Sequence, residues 1–256
     1  MTRNIDAQIT VTSQSDVAQE TLLAMIPDYL EYRLSAGDAV KAALQADPEC
    51  AFAHTIKGIF MMLFGSAQAY PKVDEAITAA EQTIGSASPQ EKAHLSALKI
   101  WRDGETTRSS LIWQEILTDH PRDLLALRLH HFNAFWRGDV EALCAMPAAT
   151  LAAWSPGTLG YGFTAGMLAF GLEEAGQYAR AEAFGREAAE INHDDLWTIH
   201  AVAHVMEMQA RTQEGIDWMQ HPGSPWPDRN PFKDHLHWHH ALFHLENGDA
   251  DHVLNL

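Results

Sequence analysis

Ten of the 15 histidines lie between His193 and the C-terminus, and their spacing is the strongest chemical signal in the chain. The stretch W-T-I-H-A-V-A-H-V-M-E-M-Q-A-R at 197–211 puts His200, His204 and Glu207 at i, i+4 and i+7, on one face of a helix. Further on, F-K-D-H-L-H-W-H-H-A-L-F-H-L-E carries His235 and His239 at i, i+4, with Trp238 beside them. His240 and His244 form a second pair, rotated by about 100° on the helical period. Two neighbouring helices that each present such a pair would bring four imidazoles together. With Glu207 added, that donor set suits a divalent transition metal, because imidazole is a good ligand for Zn, Fe, Ni or Cu. Ala201 follows His200, so the HExxH arrangement of a metalloprotease is absent. The same imidazoles could line a metal-free pocket that binds a ligand or does acid–base work, or could simply bond carboxylates and carbonyls. His237, His240, His244 and His252 read as exposed or incidental.

Other chemistry is thinner. Arg128 and the His130-His131 pair fall on one expected helix, where they could face a groove or form a salt bridge and packing contacts. Ser155 in Trp-Ser-Pro-Gly is not a G-x-S-x-G elbow, and there is no phosphate-binding glycine run. Cys144 in Leu-Cys-Ala-Met reads as an inert buried thiol. Cys50 and Cys144 are the only cysteines and no CxxC occurs, which suits a reducing compartment. Seventeen Lys and Arg against 34 Asp and Glu give a formal charge of −17, which argues against nucleic-acid and anionic-membrane partners. The N-terminus is polar, and the most apolar stretch, 59–64, is far too short to span a bilayer. These features make the cytoplasm the expected location.

The elements that must carry the histidines are short helices. Helix formers dominate, and breaks such as Asp47-Pro48, His120-Pro121 and Arg137-Gly138-Asp139 punctuate them. The clearest repeat runs from Gly162 to Asp194: a helix, a turn at Gly176-Gln177-Tyr178, and a second helix with Ala181, Gly185 and Ala188 where the first must pack. A polar break, His193, follows 17 residues after Gly176, and Pro121 lies 17 residues after Gly104. Five such hairpins predict an all-α, tetratricopeptide-like α-α superhelix, a right-handed solenoid of helical hairpins over 17–256 behind a polar segment 1–16. A proline-rich loop spans 221–233, and Asn230-Pro231 predicts the cap and first residue of the helix bearing His235. Trp101, Trp113, Trp136, Trp154 and Trp218 read as core residues.

Six stretches carry a family resemblance. They are A-H-T-I-K-G-I-F-M-M-L at 53–63, E-K-A-H-L-S-A-L-K-I-W at 91–101, H-P-R-D-L-L-A-L-R-L-H-H-F at 120–132, the hairpin at 160–182, the helix at 197–211 and H-L-H-W-H-H-A-L-F-H-L at 235–245. On these the chain resembles the tetratricopeptide-repeat protein 38 family from about Val17 onward. The resemblance implies a repeat fold, and it carries histidine motifs onto His200, His204, His235 and His239. Family members are usually longer, which implies an N-terminal part or a shortened member with an apolar end open to a partner or a second copy. The expected function is a binding module whose groove, lined by His200, His204, Glu207, His235, Trp238, His239 and Arg128, takes a peptide, a protein or a small polar ligand. A metal- or histidine-dependent hydrolase is the alternative reading, and an assembly role through the solenoid end is the third.

Overall fold

Each polar break in the sequence ends one helix and starts the next. The computed structural model describes residue 5, residues 7–220 and residues 226–253, and no strand occurs among them. Two compact units emerge. The first holds α1 (Asp16–Leu30) up to Tyr29, α2 (Ser35–Ala46), α3 (Ala51–Leu63), α4 (Tyr70–Thr83), α5 (Pro89–Arg102), α6 (Thr106–Asp119) and α7 (Leu124–Arg137). The second holds residues 30–33 with α8 (Val140–Leu151), α9 (Leu159–Glu174), α10 (Tyr178–Ile191), α11 (Leu196–Met208), α12 (Thr212–Met219), α13 (Phe232–Glu246) and the short α14 (Ala250–Val253). The architecture is the expected all-α, tetratricopeptide-like stack of helical hairpins. Among the described residues no helix is long and apolar enough to cross a membrane.

The corner residues act as caps. Asp123 Oδ1 accepts the N–H of Ala126 at 2.9 Å, Asp139 Oδ1 that of Ala142 at 3.1 Å, and Asp195 Oδ1 that of Trp197 at 3.1 Å. Each satisfies an orphan donor in a first turn, for which a short carboxylate is well suited. Gly176, at φ +70, supplies the left-handed residue that turns α9 into α10.

In the second unit α9 is buried on every side and packs against α8, α10 and α11. That explains its lack of a polar face. At Gly166 a Cβ would stand 1.9 Å from Thr198 Oγ1, so only glycine lets α9 and α11 approach this closely. The apolar core of this unit joins Leu196, Ile199, Val202 and Met206 of α11 to Ile216, Trp226, Leu236 and Phe243.

Three expectations change. Trp113 and Trp154 are buried, but Trp136 is 72% exposed near the end of α7, where the helix runs out against its own neighbour Phe135. His240 and His244 are buried, not exposed, because α13 packs on both α11 and α12 and so hides two faces. Residues 7–15 of the polar N-terminal segment are seated on the first unit, with Ala7 and Val11 buried. Residues 221–225 of the proline-rich loop lie outside the described residues.

Arg211, just before α12, clamps Glu182 of α10 through two bonds of 2.6 and 2.9 Å and also reaches Glu214. The Arg211 bond, ahead of burial, holds the Glu182 carboxyl down at about 2. A carboxyl depressed in the folded state stabilises above its ordinary value of 4.5 and loses that contribution as pH falls toward 2. The pair is partly exposed to solvent, so it is worth about 1 kcal/mol. Urea unfolding should therefore show the difference between wild type and Arg211→Ala at pH 6 shrinking between about pH 4.5 and pH 2.

Candidate functional site

Helix α11 presents His200, His204 and Glu207 on one stripe, and α13, packed across it, presents His235 and His239. The start of α13 is fixed from two directions. Asn230 Oδ1 accepts the Phe232 N–H at 2.9 Å, as the Asn230-Pro231 signal predicted, although the helix opens one residue later. Residues 30–33 hold the other side: Tyr32 stacks on Phe232 with centroids 4.3 Å apart, and its carbonyl accepts the Asn230 N–H at 2.8 Å. Arg33 and Arg229 converge on Asp194, at 2.8 and 2.9 Å, in the corner before α11. Both helices that carry histidines are thus tied to one ion-pair network at their N-terminal ends.

The four Nε2 atoms converge. His200 Nε2 lies 2.9 Å from His235 Nε2, which lies 3.1 Å from His239 Nε2, which lies 3.1 Å from His204 Nε2. One ligand atom from each histidine falls within 4.8 Å of all the others. His200 and His239 are buried, at 4% and 3% exposure. His239 Nδ1 donates to Glu207 Oε2 at 2.8 Å, so its single proton sits on Nδ1 and its Nε2 carries a lone pair. Trp238 stacks on His235 with centroids 5.4 Å apart and meets His239 edge-on, which fixes both rings at the mouth of the site. Phe170 and Trp197 back the His200 ring from below.

Carboxylates surround the imidazoles without entering their centre. Glu173, in the last turn of α9, is 6% exposed, and its Oε2 makes no hydrogen bond but lies 3.4 Å from His204 Nδ1. Together with Glu174 and His204 it forms a second convergent group. The C-terminal end of α9 adds its own negative partial charge there. Burial pushes the Glu207 carboxyl up, with Glu246 and Glu173 adding to it. Burial also drives His200 well below the ordinary histidine range, lowers His235, and takes His239 down to about 3; neighbouring imidazoles reinforce each shift. At neutral pH these three rings are neutral, the protonation state that a metal would require.

Of the residues singled out from sequence, His200, His204, Glu207, His235, Trp238 and His239 come together. Arg128 belongs to the first unit, 1% exposed, with its guanidinium over the Phe132 ring at 5.3 Å. His130 and His131 are buried beside it. Glu173 and Phe170 were not singled out. They sit on α9, whose approach to α11 depends on stacking of hairpins and leaves no spacing signal in sequence.

No protein-family model matches the chain. Among solved structures, PilW, described as a widely conserved type IV pilus biogenesis factor, is similar with a TM-score of 0.50 at 16% identity. The alignment covers 87% of this chain and 99% of PilW. At that identity the likeness concerns the fold alone, a tetratricopeptide-like helical repeat.

Glu207→Ala would leave the buried His239 N–H without an acceptor, a loss of about 1–3 kcal/mol in urea unfolding. Glu174→Ala, at an exposed position, should stay within about 0.5 kcal/mol. Equal effects from the two would contradict the proton assignment on His239.

Proposed function

We propose that this chain is a tetratricopeptide-like binding or assembly module whose second unit is built around one divalent transition-metal ion held by His200, His204, His235 and His239. The observation that carries this reading is the convergence of four Nε2 atoms, each 2.9–3.1 Å from at least one other. Tetrahedral nitrogen ligands around Zn²⁺ at about 2.0–2.1 Å stand about 3.3 Å apart. The three contacts of 2.9–3.1 Å and the 4.8 Å limit on every pair bracket that spacing. A peptide or a polar molecule does not fit between rings this close, and a single ion does.

Glu207 completes the pattern. A carboxylate on Nδ1 of a ligating histidine sets the tautomer and the ring angle and raises ligand basicity. The buried Glu173 beside His204 offsets the charge of a dication. Four protein ligands fill a tetrahedral shell, which is the form of a structural site; a catalytic one keeps a position open. The ion would then join α11 to α13 and stabilise the last hairpins as a platform for a partner. The hydrolase reading has no comparable support, and the resemblance to the tetratricopeptide-repeat protein 38 family rests in part on these same histidine helices.

Protein purified without a histidine tag should contain, or take up after dialysis, one equivalent of zinc by elemental analysis and calorimetry. The His200→Ala/His239→Ala double variant should lose it. Glu207→Ala should keep it with an affinity lowered about 10–100-fold. No uptake by wild type, or equal uptake by the double variant, would overturn the reading.

A further inference from the structure

The His204 ring works on two sides. Its Nε2 belongs to the four-histidine cluster, 3.1 Å from His239 Nε2, while its Nδ1 faces the last turn of α9. One ligand atom from each of Glu173, Glu174 and His204 lies within 4.8 Å of the other two. Glu173 is 6% exposed, and its Oε2 has no hydrogen-bond partner. A buried, unsatisfied carboxylate oxygen is thus aimed into the space that Glu174 and His204 share.

Glu207 and Glu173 both face histidine nitrogens, but at different distances. Glu207 Oε2 stands 2.8 Å from His239 Nδ1, the length of a charge-assisted hydrogen bond. Glu173 Oε2 stops 3.4 Å from His204 Nδ1, too far for one. A nitrogen and an oxygen on two corners of a tetrahedral metal shell, with bonds of about 2.0–2.2 Å, stand about 3.4 Å apart. Charge points the same way. Burial and Glu173 push the Glu174 carboxyl up, burial with Glu246 and Glu173 does so at Glu207, and His204 is the offsetting neighbour of both. The negative end of α9 falls at the same place, where a cation is favoured.

We propose that Glu173, Glu174 and His204 Nδ1 form a second divalent transition-metal site, joined to the four-histidine ion through the His204 ring. The proposal rests on the four-histidine reading only through His204 Nε2; the outer ligands stand without it. As the outer ion binds, His204 gives its Nδ1 proton to solvent and bridges the two ions as an imidazolate. The inner dication makes that proton easier to lose. Three protein ligands leave one corner of a tetrahedral shell open, and the exposed Glu174 places the site at the surface, so a water fills that corner. The inner ion, with four protein ligands, has no open corner. The outer ion is therefore the weaker, exchangeable member of the pair and the one that accepts an outside ligand, and dialysis leaves only the inner ion.

The test titrates Co²⁺ into the full, tag-free chain already holding one zinc. Cobalt binds such ligands more weakly than zinc and leaves the inner ion in place. One cobalt per chain should bind and show a visible ligand-field spectrum. Glu174→Gln, at an exposed position that the fold does not need, should weaken cobalt binding at least tenfold while the zinc stays. Glu173→Gln should do the same, and Glu105→Gln, an exposed carboxyl of the first unit, should change nothing. No cobalt uptake, or uptake that neither Glu173→Gln nor Glu174→Gln weakens, would overturn the proposal; the latter is binding to the acidic surface. If the chain holds no zinc, the four-histidine reading fails by itself, and the outer site is then tested on the His200→Ala/His239→Ala variant. One cobalt should still bind there and be lost on adding Glu174→Gln; no cobalt, or no loss, would overturn the outer site as well.

Discussion

Four imidazole nitrogens in a row of 2.9–3.1 Å contacts impose a constraint that hydrogen bonding cannot meet. Each neutral Nε2 is either a donor or an acceptor. Glu207 makes His239 Nε2 an acceptor, so both His204 and His235 would have to donate to it. If His235 donates to His239, it has no lone pair left for His200; if it accepts from His200, two lone pairs face each other across 3.1 Å. One contact always fails. If His204 donates, its Nδ1 lone pair is turned toward the buried Glu173 carboxyl. A cation at the centre removes every conflict at once, because all four lone pairs then point at it. Burial disfavours placing a proton's charge on His200 or His239 instead.

The rest of the second unit serves this arrangement. The helical period puts His200 and His204 on one face of α11 and His235 and His239 on one face of α13. Gly166 lets α9 close on α11, which seats Phe170 under the His200 ring and brings Glu173 to His204. The ion-pair network around Asp194 ties the chain entering α13 to the corner before α11. These contacts hold α13 in register, and a one-residue slip would rotate it by about 100° and scatter the four nitrogens.

Much of this was legible in the sequence. The 17-residue offset from turn glycine to polar break marked the hairpins, because a left-handed turn and a capped corner both demand particular residue types. The i, i+4 spacing marked the histidine faces for the same geometric reason. What stayed hidden depended on which elements stack. Glu173 lies 27 positions before His200 and meets the cluster only because α9 and α11 touch. His240 and His244 looked superfluous because a single helix pattern does not tell how many neighbours α13 has. Residues 7–15 looked like a polar tail because their partners, Gln90 and Glu91, lie about 80 residues away. Arg128 shares the composition of the site but folds into the other unit.

The central claim is that four histidine nitrogens share one ion. X-ray absorption at the zinc edge of the loaded, tag-free protein measures that directly. The account predicts a single shell of four nitrogens at about 2.0–2.1 Å with the outer-shell scattering of imidazole rings. A shell with sulfur, a shell dominated by carboxylate or water oxygen, or fewer than three imidazoles would contradict it.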